Sequence, residues 1–265
     1  MKKTTTLLLA FFLSACGQQA DDAETAAADP VAAEPEMSVY EAAVTNASRP
    51  DADRERDARR KPAEVLEFLG VAPGMTVLDM FSGGGYYTEI LSHTVGPDGQ
   101  VIAHSNEAYL QYVGDEFEKR YLGGRLANAQ VLMAENNELS LEANSLDGIM
   151  LVLSFHDLFL PSSDGWPAID VQQLLAELHS GLRAGGFVGV IDHYAAAGAA
   201  PSETGNTTHR IDPAAVIREM TAAGFVLDGQ SDILRNLDDD YERTVFDPEL
   251  SGKTDRFVMR FIKAE

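Results

Sequence analysis

The sequence predicts an α/β protein: a doubly wound, mostly parallel sheet with helices on both faces, in a single domain spanning residues 41–265. Three observations carry this. Short apolar runs of strand character alternate with longer segments whose apolar residues recur at helical spacing, as in a parallel sheet joined by crossover helices. The run at 146–154 is apolar almost throughout, as expected of a strand covered on both faces. And the run at 75–80 breaks into Gly83, Gly84 and Gly85, where such sheets receive ligands, at the carboxyl end of a strand.

The elements follow in order. Residues 53–68 read as a helix ended by Gly70. Its basic residues, Arg54 to Lys61, are interleaved with Asp53, Glu55 and Asp57, which suggests a solvated face laced with ion pairs. Residues 75–80 form a buried strand, and a helix begins over 86–92. Gly96-Pro97-Asp98-Gly99 is a turn into a strand at 100–104. Residues 106–121 are helical, 129–134 a short strand and 146–154 a long one. A helix at 171–182 stops before Gly185-Gly186, and a strand follows at 187–192. Residues 213–223 are helical, Gly224-Phe225 opens another strand, and 256–263 form the last.

Composition excludes one class of partner. With 42 acidic residues against 20 basic ones the formal charge is −22, and no basic stripe interrupts it. Nucleic acid, which is bound largely by neutralising phosphates, is not expected. At the other end of the argument, Lys2 and Lys3 precede an apolar stretch at 7–13 that is too short to span a bilayer and has the layout of a secretory signal. Its end, Leu13-Ser14-Ala15-Cys16-Gly17, resembles the lipobox of bacterial lipoproteins. That resemblance implies cleavage before Cys16, lipid modification of its thiol and a place in the cell envelope, facing the periplasm. Gly17 after the cysteine points to the outer membrane. Residues 1–16 are then signal, and 17–40, rich in Ala, Asp and Glu, a disordered acidic tether. The only membrane contact expected is that lipid. Cys16 is the single cysteine, so no intramolecular disulfide exists.

The glycine loop carries a second resemblance. VLDMFSGGGYYT at 77–88 resembles the first motif of class I S-adenosylmethionine-dependent methyltransferases, a V-L-D strand running into G-x-G-x-G. DARRKPAEVL at 57–66 and VFDPELSGKTDRFV at 245–258 look like the flanking segments of a group of such predicted enzymes from bacterial envelopes. LDGIM at 146–150, LRAGGF at 182–187 and AAGF at 222–225 match later motifs in register. The resemblance implies a Rossmann-like methyltransferase fold, S-adenosylmethionine as cofactor and a small-molecule acceptor. It also implies cofactor contacts from Asp79, Phe81, Ser82, Gly83, Gly84, Gly85 and Tyr86 after the first strand. Ser105 and Asn106 follow the second strand and Glu135 and Asn136 the third. Two positions depart from the pattern. Phe81 stands where the family has its first glycine, and Ser105-Asn106 where it has a ribose-binding carboxylate, with Glu107 one step on.

The chemistry can be read independently of the family. Backbone N–H groups at a glycine turn entering a helix favour an anionic group. Phe81, Tyr86 and Tyr87 offer π-faces to a sulfonium, worth about 0.5–2 kcal/mol depending on desolvation. Methyl transfer needs in-line positioning above all. A base is needed where the acceptor carries a proton, and His156, Asp157, Asp192 and His193 at two strand ends are the candidate catalytic residues. His104 and His209 point to the same end of the sheet. The four catalytic candidates also permit a divalent cation, but their spacing matches no ligand motif and no metal is assigned. Trp166 is placed either to cap the acceptor pocket or to pack on the sheet. Two other readings stand beside the enzyme: the same fold binding another small ligand without catalysis, and a serine hydrolase using Ser82, Asp192 and His209, against which Met80 at the elbow argues. Oligomeric state is not legible.

Overall fold

The computed structural model describes residues 37–121, 124–163 and 166–264, with Met1 and Ala10. The signal stretch, Cys16 and most of the tether lie outside the described residues. Ser38 and Glu41 form a reciprocal side-chain cap for α1 (Val39–Val44), so residues 38–40, which the sequence assigns to a tether, are part of a capped helix. Then come α2 (Asp51–Arg60), α3 (Pro62–Leu69), β1 (Thr76–Met80), α4 (Tyr86–Val95), β2 (Gln100–Ser105), α5 (Glu107–Val113) and α6 (Glu116–Tyr121). The second half runs β3 (Ala129–Met133), β4 (Leu146–Val152), α7 (Val171–Gly181), β5 (Leu182–His193), α8 (Pro201–Thr207), α9 (Pro213–Ala222), β6 (Phe225–Ser231) and β7 (Arg256–Lys263).

Among the described residues seven strands make one sheet, in the order β3-β2-β1-β4-β5-β7-β6. All neighbours pair in parallel except β7, which runs antiparallel to β5 and β6. The order reverses between β1 and β4, and the carboxyl ends of those two strands flank the crevice where ligands enter such sheets. The continuously apolar strands are explained by two cores. Leu78, Met80, Ile149, Leu151, Val188 and Val190 face α7 and α9, whereas Val77, Met150, Phe187 and Ile191 share the opposite face with α3 and α4. Strand side chains alternate between faces, so a strand buried on both must be apolar at nearly every position.

Two predicted helices are broken. Residues 53–68 divide at Lys61, which takes a left-handed conformation (φ 42°) because Pro62 disfavours the helical region for the residue before it. Residues 106–121 divide at Gly114 (φ 59°). The charged face of α2 carries the expected ion pairs and is largely open to solvent, but part of it turns inward. Arg49, fully buried, grips Asp57 with two hydrogen bonds of 2.7 and 2.8 Å, and buried Asp53 pairs with Arg56 and Arg120. These ion pairs point inward because α6 and the chain before α2 pack over them.

Candidate active site

The glycine turn is tight. Phe81 (φ 55°), Gly83 (φ 56°) and Gly85 (φ 77°) are left-handed, a region that costs a bulky residue such as Phe81 strain held in place by its neighbours. The Phe81 ring is buried against His104, Tyr109 and Trp166, with centroids 5.4, 5.0 and 6.5 Å away. Ser82 N donates to the His104 carbonyl (2.9 Å), and Gly85 N to the Ser82 carbonyl (2.9 Å), which closes the turn.

What approaches the glycines is partly the chain itself. A Cβ on Gly84 would collide with the Glu116 carboxylate, and one on Gly85 would lie 2.7 Å from the Tyr121 hydroxyl. Arg120 Nε donates to the Gly84 carbonyl (2.9 Å) and Tyr121 to Ser82 Oγ (3.0 Å). Gly85 is required both by its left-handed backbone and by the close approach of Arg120 and Tyr121 from α6. At Gly84 the clash is with the tip of exposed Glu116, which can move aside, and a Cβ on Gly83 would meet only the Phe81 carbonyl, at 4.0 Å. Asp79, fully buried, accepts from Thr88 Oγ1 (2.5 Å), and burial pushes its carboxyl up to about 7. Tyr86 departs from expectation. Its hydroxyl donates to Asp57 (2.6 Å) and its ring sits 4.6–5.5 Å from the guanidinium groups of Arg49, Arg56 and Arg60, so it anchors α2 and presents its ring to these cations.

At the ends of β2 and β3 the polar groups are left with capacity to spare. Ser105 and Asn106 are buried, and Asn106 Oδ1 caps α5 through Tyr109 N (2.8 Å). Yet Asn106 Nδ2, Glu135 Oε2, both side-chain atoms of Asn136 and Trp166 Nε1 are buried with no hydrogen-bond partner among the described residues. Unmet polar atoms of this kind cost roughly 1–3 kcal/mol each, so their clustering signals a ligand or ordered water that completes them. A cavity of about 380 Å³ opens here, lined by Glu107, Gln111, Glu135, Ser163 and Trp166. His104, by contrast, is structural. Its Nε2 pairs with the Ala134 carbonyl (3.0 Å), and burial pushes its imidazole down to about 4.

The second half of the site lies at the ends of β4 and β5. A cavity of about 590 Å³ is bounded by Tyr109, His156, Asp157, His193, His209 and Phe246, and shares Ser163 and Trp166 with the first. Trp166 thus stands between the two spaces and packs on Phe81 and Tyr109 as well. His156 Nδ1 donates to Asp192 Oδ1 (2.8 Å), and the backbone N–H of His156 donates to the other Asp192 oxygen (2.9 Å). Burial opposes the His156 imidazolium, but the charges of Asp192 and Asp157 outweigh it and raise the group to about 10. Asp157 accepts from the Tyr109 hydroxyl (2.5 Å). His193, buried and held well below its ordinary range by burial and by the His156 charge, pairs with the Thr254 hydroxyl (2.7 Å).

The four catalytic candidates are therefore neighbours, and His209 joins them, its ring 5.3 Å from that of His156. Tyr109 was invisible to sequence reasoning. It stands in an ordinary helical position, and only the Asn106 cap three residues earlier aims it at the crevice. The hydrolase triad is ruled out: Asp192 binds His156 and not His209, and Ser82 is engaged by Tyr121.

Comparison with known proteins agrees with this fold. The family model of protein-L-isoaspartate(D-aspartate) O-methyltransferase matches residues 37–116. A ubiquinone/menaquinone biosynthesis C-methyltransferase from Idiomarina loihiensis is 30% identical over 95 residues, 36% of this chain and 37% of that protein. The chain thus matches little more than a third of the length of such curated relatives. Among solved structures, a SAM-dependent methyltransferase from Aquifex aeolicus superposes with a TM-score of 0.56 at 23% identity, covering 86% of this chain and all of that one. Fibrillarin from Aeropyrum pernix, solved with natively bound S-adenosyl-L-methionine, gives 0.50 at 14% identity over 78% of this chain and 76% of its own. The fold is that of the Rossmann-like methyltransferases.

Proposed function

We propose that the chain is an S-adenosylmethionine-dependent methyltransferase acting on a small-molecule acceptor. The observation that carries this is the set of buried, unpartnered polar atoms on Asn106, Glu135 and Asn136 at the carboxyl ends of β2 and β3. A carboxylate and two amides with free capacity suit an adenosine, whose amino group donates and whose ring nitrogens and ribose hydroxyls pair with amides. Glu135 and Asn136 would take the adenine and Asn106 the ribose, with the open face of Gly83 and the Ser82 backbone beside the methionine end. When bound, the cofactor supplies an electrophilic methyl group. The chain's own part is to orient the acceptor in the larger cavity, to exclude water with Trp166, Phe81 and Tyr109, and to hold a proton between His156 and Asp192. Held as an imidazolium at neutral pH by Asp192 and Asp157, His156 offers an acceptor a proton donor and a positive charge, and it accepts a proton only above about pH 10.

Calorimetry of the folded domain with S-adenosylmethionine and S-adenosylhomocysteine tests the reading. Saturable binding of both is expected, and Glu135→Gln should weaken it roughly tenfold, the loss of a charged hydrogen bond of about 1.5–3 kcal/mol partly offset by the remaining amide. Absence of heat at high micromolar ligand would refute it.

We also place the protein at the cell envelope, on the strength of Leu13-Ser14-Ala15-Cys16-Gly17. Metabolic labelling with a fatty acid should mark the native protein and leave Cys16→Ser unlabelled; equal labelling of both would sink this assignment.

A further inference from the structure

We propose that His156, Asp157 and His209 form a site for a divalent transition-metal ion at the floor of the larger cavity. One ligand atom from each lies within 4.8 Å of the others. His156 Nε2 is 3.2 Å from Asp157 Oδ1, and His209 Nδ1 is 3.9 Å from the same oxygen, so a modest swing of the His209 ring closes the set around an ion.

Three further observations point to a ligand and not to a chance cluster. The first is the support behind each donor. Metal-bound histidines characteristically donate their other ring nitrogen to a carboxylate, and His156 Nδ1 does so to fully buried Asp192. The second oxygen of Asp157 is held by the Tyr109 hydroxyl, which leaves Oδ1 aimed at the two histidines. The second observation is the way His209 is delivered. It takes a left-handed backbone conformation (φ 54°), which a non-glycine residue adopts only when its surroundings hold it there. Its ring stacks edge-on against Phe246 at 4.7 Å. Gly205 lets α8 approach the turn at His156–Phe159 so closely that a Cβ there would lie 2.8 Å from the His156 carbonyl. The third is the open side. Both histidines and Asp157 line the cavity, so an ion would keep free positions toward anything bound in it.

Two imidazoles and one carboxylate suit first-row transition ions such as Zn²⁺, Mn²⁺ or Fe²⁺ better than Mg²⁺ or Ca²⁺, which take oxygen ligands. The assignment is independent of any methyl donor.

The test uses tag-free, chelator-treated protein, Zn²⁺ for calorimetry and Co²⁺ for its visible absorption, with no cofactor present. Zn²⁺ should bind at a single saturable site, and the Co²⁺ complex should show ligand-field bands. His209→Ala, on a partly exposed side chain that can be lost without unfolding, should weaken Zn²⁺ at least tenfold and abolish the bands. Tyr109→Phe should weaken it tenfold to a hundredfold by freeing Asp157. No saturable Zn²⁺ binding, or equal binding by folded His209→Ala, would overturn the proposal and assign any residual metal to the acidic surface.

Discussion

Asp239→Ala is expected to destabilise the protein by about 3–5 kcal/mol, because it strands a buried charge. Arg210 and Asp239 are both fully buried and joined by two hydrogen bonds of 2.8 and 3.0 Å. Two further Arg210 N–H groups donate to the carbonyls of Tyr194 and Arg243, each at 3.0 Å, and Asp239 also accepts from the Asp255 and Tyr241 backbones. These partners are all backbone or counter-charge, and burial keeps the guanidinium from bulk solvent once the carboxylate is gone. Urea denaturation at neutral pH measures the loss. The double variant Arg210→Met with Asp239→Leu should recover only part of it, since it removes the stranded charge but leaves the Tyr194 and Arg243 carbonyls and the Tyr241 and Asp255 N–H groups without these partners. If Asp239→Ala costs under about 1 kcal/mol, as a solvated surface pair would, the pair is not the anchor described. The anchor has a functional neighbour: Arg210 fixes the chain immediately after His209.

The second large effect is a pH dependence at Asp79. Its folded-state carboxyl is raised to about 7 by burial, whereas an unfolded aspartate titrates near 4. Below pH 4 both states are protonated and the group contributes nothing. Between 4 and 7 the unfolded chain gives up its proton and the folded one retains it, so stability falls as pH rises through this window and levels off above it. Three pH units at about 1.36 kcal/mol each make the penalty on the order of 4 kcal/mol. Asp79→Asn keeps an acceptor for Thr88 and removes the titration. Relative to wild type, its unfolding free energy should rise between pH 4.5 and pH 8, with other titrating groups cancelling in the difference. A difference that is flat across that range would mean that Asp79 is ionised in the fold at neutral pH.

Much of the architecture was legible from local pattern. The strand at 256–263 is observed at Arg256–Lys263, and the turn at Gly83 to Gly85 does sit at the carboxyl end of the first strand. Apolar periodicity reports burial residue by residue, so it locates strands and helices reliably. It was less informative where one residue redirects the chain, as at Lys61 before Pro62 and at Gly114, and it passed over α8, a seven-residue helix of small and polar residues. In the site, His156, Asp157, Asp192 and His193 were recognisable because strand ends converge in any such sheet. The close approach of α6 was not: Arg120 and Tyr121, which crowd Gly85, lie more than thirty residues on.

The sequence by itself determined the alternation of strands and helices, the acidic character, the glycine turn and the strand ends at which chemistry could occur. All of these depend on residue type and near spacing, which a chain carries before it folds. Only the tertiary structure decided that Arg49, Asp53 and Arg210 are buried, that Tyr86 serves a helix, and that His209 comes to His156 and Asp157 while Asp192 stands behind them. Charge burial and donor convergence depend on distances between residues far apart in the chain, such as the 36 positions between His156 and Asp192. Those distances are set by the packing of α8 and the strand order, and no local pattern encodes them.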